Sequence, residues 1–179
     1  MDAAEKQTWA TAYHEAGHAV VATLLGREVK TVTIKPEGDD NGQTVWTEKT
    51  EDEIRNLMKR GFVDLYMMII SFAGPIAEAR FDTDNPVGAL KDHGSARNFA
   101  HCTWPHGEQT GREYEPDCLA ARRALDGARE QALAEVTSHW GIIEDVARRL
   151  FDDKTLTGEQ VANLVAAHVS NSVPPELAC

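Results

Sequence analysis

The stretch "AYHEAGHAVVATLLG", residues 12–26, decides how the rest of the chain is interpreted. Downstream of His18 it is apolar on every side at helical spacing, which predicts a helix buried on all faces. Such a helix does not bury His14 and Glu15 without compensation, because uncompensated charges are costly to remove from water. Gly17 is also unexpected, since an interior glycine costs about 1 kcal/mol relative to alanine. These residues need a chemical explanation.

The spacing of the two histidines provides one. Residues four apart on a helix lie on one face, about 5–6 Å apart at Cβ, so His14 and His18 can hold a single zinc ion. Glu15 is rotated away from the metal position and can take a proton from a water on the metal. The pattern H-E-x-x-H therefore indicates zinc-dependent hydrolysis. The missing Cβ of Gly17 lets another segment approach this helix closely.

A third protein ligand is required and must come from further along the chain. A metzincin would place a histidine six residues after His18, where this chain has Leu24. The candidates are Glu78 in "AGPIAEARF" and the neighbours Asp92 and His93 in "GALKDHGSARNFAH". The residues alone leave these three open.

The composition is that of an ordinary globular protein of 179 residues, with 42% hydrophobic and 26% charged residues. The formal net charge of −11 argues against nucleic acid and against an anionic membrane as partners. The longest apolar stretch, residues 65–74, is about half of what a membrane span needs, so we interpret it as a core helix.

The cysteines and the N-terminal sequence indicate in which cellular compartment the protein is expected. Three cysteines without paired-motif spacing argue against a disulfide framework and favour reducing conditions. The start "MDAAEKQTW" is acidic and polar, unlike a signal peptide. The expected localisation is cytoplasmic.

The chain predicts a mainly α domain with a small β-hairpin near its N-terminus. The first helix should run from near Asp2 to Leu25, and two strands, "EVKTVTIKP" and "QTVWTEK", should flank a turn. A second helix should start at a capping box formed by Thr50 and Glu53. It should continue through residues 62–81, with a break or kink at "GP", residues 74–75.

The second half of the chain predicts further helices. One covers residues 88–102, and one long helix or two consecutive helices lead to about residue 156. A last helix should begin at a capping box formed by Thr157 and Gln160. Residues 1–170 are therefore expected to form one domain, and residues 171–179 a flexible tail.

Taken in order, these blocks resemble a known family. "AYHEAGHAVVATLLG", "VKTVTIKP", "AGPIAEARF" and "GALKDHGSARNFA" follow the order of the FtsH-type zinc peptidase domain of AAA proteases. The segment "REQALAEVTSHWGIIEDVARRLFDDKTLTGEQVANLV" resembles that domain's C-terminal helices, so the resemblance covers about residues 11–166. It implies a zincin-like helical fold, Zn2+ as cofactor and hydrolysis of peptide bonds by a water that Glu15 activates.

The resemblance also distinguishes between the candidate ligands. In the family an aspartate after the Ala-Glu block is the third ligand, and the matching residue is Asp92. Glu78 matches the glutamate of that block, which implies a supporting position near the site and makes it the alternative ligand. The neighbours of Asp92 match at the family's spacing: Gly88, Ala89, Ala96, Phe99 and Ala100.

Two departures qualify what the resemblance implies. The family's proteases carry a membrane anchor and an ATPase module before the peptidase domain, and this sequence has neither, nor a Walker A pattern. Pro75 stands where the family usually has a glycine-arginine pair. We therefore expect a stand-alone metalloendopeptidase, ATP-independent on its own, acting on unfolded or extended peptides. A homo-oligomer or a separate ATPase is a possible partner.

Two other functions compete with this one. A catalytically silent zinc-binding module of the same fold could regulate a partner ATPase. A regulatory protease that cleaves one repressor shares the zinc motif but not the downstream blocks. The intact Glu15 favours an enzyme, because a purely structural zinc site has no use for a base. The predicted strand at residues 29–35 offers an edge on which an extended peptide could pair.

Overall fold

The computed structural model describes residues 1–38, 41–48, 63–82, 89–103 and 119–172. Within these ranges the chain forms six helices and a three-stranded sheet, so the prediction of a mainly α fold with a small sheet is confirmed. The elements are α1 (Ala3–Leu24), β1 (Val29–Thr33), β2 (Gln43–Trp46), α2 (Val63–Phe81), α3 (Ala89–Thr103), α4 (Leu119–Ser138), α5 (Trp140–Asp153), β3 (Thr155–Thr157) and α6 (Gly158–Ser172).

Helix α1 is the centre of the fold. The Asp2 side chain caps its first turn by accepting a 2.8 Å hydrogen bond from the Glu5 backbone N–H. From His14 to Ala22 every residue is buried, as the apolar stretch predicted. The helix packs against α2, α5, α6 and the sheet, and this enclosure explains why its apolar residues are not confined to one face.

The sheet has the order β2-β1-β3, and both pairings are antiparallel. The predicted hairpin of β1 and β2 is confirmed, but β1 is the central strand. The expectation that the strand at residues 29–35 offers a free edge to a peptide is therefore wrong, because β3 occupies that side. Among the described strands, β2 lies at the edge of the sheet instead.

Strand β3 was not predicted, because three residues are too few to display an alternating pattern. Its last residue, Thr157, also forms the predicted capping box of α6. The Gln160 backbone N–H donates to Thr157 Oγ1 at 3.2 Å, and the Thr157 backbone N–H donates to Gln160 Oε1 at 2.8 Å. The final helix runs to Ser172, two residues into the predicted tail, and the rest of that tail lies outside the described residues.

Of the predicted break or kink at Gly74 and Pro75, the break is wrong, because α2 continues through both residues. The buried residues Ala73 and Ala77 pack this helix into the core, and that packing outweighs the low helix propensity of the pair. The predicted capping box at residues 50–53 lies outside the described residues. Across the described ranges, the structure has no helix long and apolar enough to span a bilayer.

Helices α1 and α2 approach each other closely at Gly17. A Cβ on Gly17 would lie 2.7 Å from the Ala73 carbonyl oxygen and 2.7 Å from the Ala77 Cβ. Real Cβ atoms essentially never come within 3.0 Å of such neighbouring atoms, so only glycine allows the contact. The role that the sequence predicted for Gly17 is confirmed.

We expect Gly17→Ala to lower the free energy of unfolding by about 2–3 kcal/mol, since the added methyl group would force the two helices apart. Gly127→Ala is the matched control, because Gly127 lies inside a helix with no atom within 4 Å of its added Cβ. That change should raise the free energy of unfolding by up to about 1 kcal/mol. Urea denaturation at a fixed zinc concentration measures both. Equal effects of the two substitutions would contradict the proposed close contact.

Candidate metal centre

His14 and His18 lie side by side on the same face of α1. Their Nε2 atoms are 3.1 Å apart, and each ring directs its other nitrogen to a separate acceptor. His14 Nδ1 lies 2.8 Å from Glu78 Oε2, and His18 Nδ1 lies 2.7 Å from the Ile70 carbonyl oxygen. An acceptor at Nδ1 fixes the proton there, which leaves Nε2 as the nitrogen with a lone pair for a metal.

Asp92, in the first turn of α3, completes a cluster with these two nitrogens. Its Oδ2 lies 3.0 Å from His14 Nε2 and its Oδ1 lies 3.4 Å from His18 Nε2. One candidate ligand atom from each of the three residues lies within 4.8 Å of the others. Helix α2 packs against both α1 and α3 and so holds the two helices that carry the cluster.

The donor set fits a zinc ion. Zinc bonds to imidazole nitrogen and carboxylate oxygen of about 2.0–2.2 Å in a tetrahedral arrangement place ligand atoms about 3.3 Å apart. The distances of 3.0 to 3.4 Å match that spacing. Three protein ligands with a fourth position left open are typical of catalytic zinc sites, whereas structural sites are closed by a fourth ligand.

The structure separates the three candidates for the third ligand. Glu78 contacts the far nitrogen of His14, on the side away from the pair of Nε2 atoms. The ring of His93 packs against Phe72, with 5.5 Å between the ring centroids. Among the described residues, Asp92 is the candidate that joins the two histidines in the cluster.

Glu15 is buried beside the cluster without belonging to it. Only 6% of the residue is exposed, and the Thr44 hydroxyl donates a 2.7 Å hydrogen bond to its Oε2. Glu15 lines the same cavity as the two histidines and Asp92. A carboxylate in this position can exchange a proton with a molecule in the cavity.

The charges of the site depend on one another. Burial lowers the pKa of His14, but its hydrogen bonds to Asp92 and Glu78 outweigh burial and raise that pKa to about 10. Burial raises the pKa of Asp92, but the hydrogen bonds from His14 and His18 outweigh burial and hold that pKa well below its usual range. Both shifts favour the charged forms of His14 and Asp92. A metal bound at His14 Nε2 takes the place of a proton at that nitrogen.

The pKa of Glu15 shifts in the opposite direction from the pKa of Asp92. Burial raises the pKa of its carboxyl group, and the nearby His18 and His14 and the Thr44 hydroxyl offset that rise only in part. A carboxyl group with a raised pKa holds a proton more readily than an ordinary glutamate does, which suits general acid–base catalysis.

The cavity above the cluster has a volume of about 380 Å³. Its lining is apolar at Trp46, Met67, Ile70 and Phe99. The remaining lining includes the polar residues Gln7, Thr11, Asn41, Gln43, Thr44 and Ser95. A mixed lining of this kind can receive a side chain together with its peptide backbone.

Two contacts of the site were missed by the sequence analysis. A Cβ on Gly74 would lie 2.6 Å from His18 Cδ2, so glycine is needed there to make room for the imidazole ring. In the sequence this glycine, next to Pro75, indicated a helix break. Thr44 stood in a predicted strand, where nothing in the sequence pointed to a contact with Glu15.

The chain is similar to one protein-family model and to several known proteins. A family model described as peptidase family M41 matches residues 1–103. The "ATP-dependent zinc metalloprotease FtsH 2" of Methylacidiphilum infernorum (isolate V4) is 28% identical over 90% of this chain and 29% of its own length. The "ATP-dependent zinc metalloprotease FtsH" of Myxococcus xanthus (strain DK1622) is 37% identical over 60% of this chain and 17% of its own length. The chain spans about a third or less of the length of these relatives.

Proposed function

Because the chain belongs to peptidase family M41, we propose that it hydrolyses peptide bonds with a zinc ion held by His14, His18 and Asp92. The resemblance to the FtsH-type peptidase domain is confirmed by the family match and by the relatives' names. The observation that carries the proposal is the convergence of two Nε2 atoms and a carboxylate, 3.0 to 3.4 Å apart, beside the buried Glu15.

In this mechanism the chain's own groups hold the ligands and move the proton. When bound, zinc supplies a Lewis acid that polarises a peptide carbonyl and acidifies a water molecule. Glu15 accepts a proton from the attacking water at its carboxylate and later donates it to the leaving amine. Glu78 and the Ile70 carbonyl group keep the two imidazole rings in place by accepting hydrogen bonds from their Nδ1 atoms.

The substrate is best matched by an extended peptide. Strand β2 is an edge strand, and its residues Gln43, Thr44 and Trp46 line the cavity that contains Glu15. A peptide that pairs with this edge would run past the metal centre, with its alternate side chains directed into the cavity. We therefore assign peptide pairing to β2 and not to β1, because β1 is already paired with a strand on each side.

A zinc-binding module without turnover is the alternative function. Two features favour the enzyme over that module. Among the described residues the cluster has three ligands and not the four of a closed structural site, and Glu15 faces the same cavity although burial makes its charge costly. A binding module needs neither feature.

We expect the purified, zinc-loaded chain to cleave unfolded proteins and short peptides, to spare a stably folded substrate, and not to respond to ATP. The relatives are named ATP-dependent, but the 179 residues contain no Walker A pattern that would bind a nucleotide. A folded protein offers few extended segments, and hydrolysis requires one in the site. Cleavage of one substrate in its denatured and folded forms, with and without ATP, measures this.

A sample treated with a zinc chelator is the blank for this experiment. Rapid digestion of the folded substrate, or any stimulation of the pure chain by ATP, would contradict the expectation. Absence of cleavage for both forms of the substrate would favour the binding module instead.

A further inference from the structure

We propose that Thr44 is a positioning residue for hydrolysis, and that its hydroxyl group fixes the carboxylate of Glu15 toward the open position of the metal centre. The inference rests on the proposed function, because it concerns the residue that acts as base there. It assigns a catalytic consequence to a contact between two separate elements, the edge strand β2 and the ligand helix α1.

The hydrogen bond itself is short and partly enclosed. The Thr44 hydroxyl donates to Glu15 Oε2 at 2.7 Å. Thr44 Oγ1 also lies 3.4 Å from the Glu15 backbone carbonyl oxygen. Hydrogen bonds to an ionised group are shorter and stronger than bonds between neutral groups. A glutamate side chain has three rotatable bonds, so a single strong donor at its end restricts it considerably.

A second contact, from the residue just before β2, also restricts the Glu15 side chain. A Cβ on Gly42 would lie 2.9 Å from Glu15 Cγ and 3.0 Å from Glu15 Oε1, so the backbone at Gly42 packs directly against the carboxylate arm. Residues 42 and 44 are two apart, which places them on the same face of an extended chain. Gly42 therefore closes the space beside Oε1, while Thr44 binds Oε2.

The pairing of β2 with β1 is regular around Thr44, and its irregularity lies further along, between Val29 and Thr31. Thr44 pairs with Val32 of β1, and Val32 is completely buried in the core. A slip of β2 by one residue would turn the Thr44 side chain to the opposite face of the sheet, away from Glu15. The position of the hydroxyl group is thus determined by the core of the sheet, independently of any molecule in the cavity.

A structural role is the competing explanation for this contact. A buried carboxyl group needs a hydrogen-bond partner whether or not it takes part in catalysis. The two explanations differ in one respect. Satisfying a buried acid affects stability, whereas positioning the base affects the turnover number of an enzyme that still binds its zinc and its substrate normally.

Thr44→Val removes the hydroxyl group and keeps the branched shape, and Thr44→Ser keeps the hydroxyl group. We expect Thr44→Val to lower kcat on an unfolded peptide at least about tenfold, with KM and zinc content within twofold of wild type, and Thr44→Ser to recover kcat to within about threefold. Thr31→Val is the matched control. Thr31 pairs with Val45 in the same sheet and so lies on the opposite face from Thr44, and its loss should leave kcat unchanged.

The position of the Glu15 carboxylate can be measured independently of activity. Crystal structures of the zinc-loaded wild type, Thr44→Val and Thr44→Ser provide it. We expect the Glu15 carboxylate to leave its wild-type position in Thr44→Val and to keep it in Thr44→Ser. An unmoved carboxylate together with an unchanged kcat in Thr44→Val would overturn the inference. Equal loss of kcat in both variants would also overturn it, because the hydroxyl group would then not be the cause.

Failure of the proposed function gives a different pattern. A wild-type chain that binds zinc but cleaves no peptide would refute the peptidase. The positions of Glu15 in the crystal structures would then decide alone whether Thr44 fixes that carboxylate.

Discussion

Glu15→Gln is expected to lower kcat on an unfolded peptide at least about a hundredfold while the chain keeps one zinc ion. General acid–base catalysis by a positioned side chain contributes about 10²–10⁴-fold, and an amide cannot accept the proton that the carboxylate accepts. The metal should stay, because Glu15 is outside the cluster of His14, His18 and Asp92. Steady-state kinetics and metal analysis of the same samples measure the two results.

Glu5→Gln is the control for this substitution, since Glu5 is an exposed glutamate in the first turn of the same helix. It should leave both kcat and zinc content unchanged. Full activity of Glu15→Gln would show that another group accepts the proton, and the proposed mechanism would be wrong.

The second large effect concerns the metal. We expect His18→Ala to weaken zinc binding more than about a hundredfold, since the loss of a residue that only orients a ligand already costs about 10–100-fold. His14→Ala should behave alike. Asp92→Asn should weaken binding at least about tenfold, because an amide oxygen lacks the charge that balances the ion. Competition with a chelator of known affinity measures all three.

His93→Ala is the matched control for the ligand substitutions. His93 is the neighbour of Asp92, but its ring packs against Phe72. Zinc affinity should therefore remain within about threefold of wild type. A greater loss in His93→Ala than in Asp92→Asn would reverse the assignment of the third ligand.

The parts of the site that could be predicted lie close together in the sequence. The spacing of His14 and His18 on one helix determines their relation directly, because helical geometry puts residues four apart on one face. The special role of Gly17 was also predictable, since a glycine in a buried helix indicates a close neighbour. Both predictions depend on local geometry alone.

The rest of the site depends on contacts between distant segments. Asp92 could be singled out only through the family resemblance, because no local pattern says which carboxylate folds back onto α1. Gly74 was interpreted as a helix break from its neighbour Pro75, although its function is to leave room for the His18 ring. The contact of Thr44 with Glu15 depends on the register of β2, and β3 depends on a pairing across more than 100 residues.

The central claim is that His14, His18 and Asp92 together bind the catalytic zinc ion. Anomalous diffraction at the zinc absorption edge, from crystals of the zinc-loaded chain, tests it most directly. We predict one strong anomalous peak per chain, within about 2.0–2.2 Å of His14 Nε2, His18 Nε2 and an Asp92 carboxylate oxygen. A peak bound by Glu78 or His93 in place of Asp92, or no peak between the two histidines, would contradict the account.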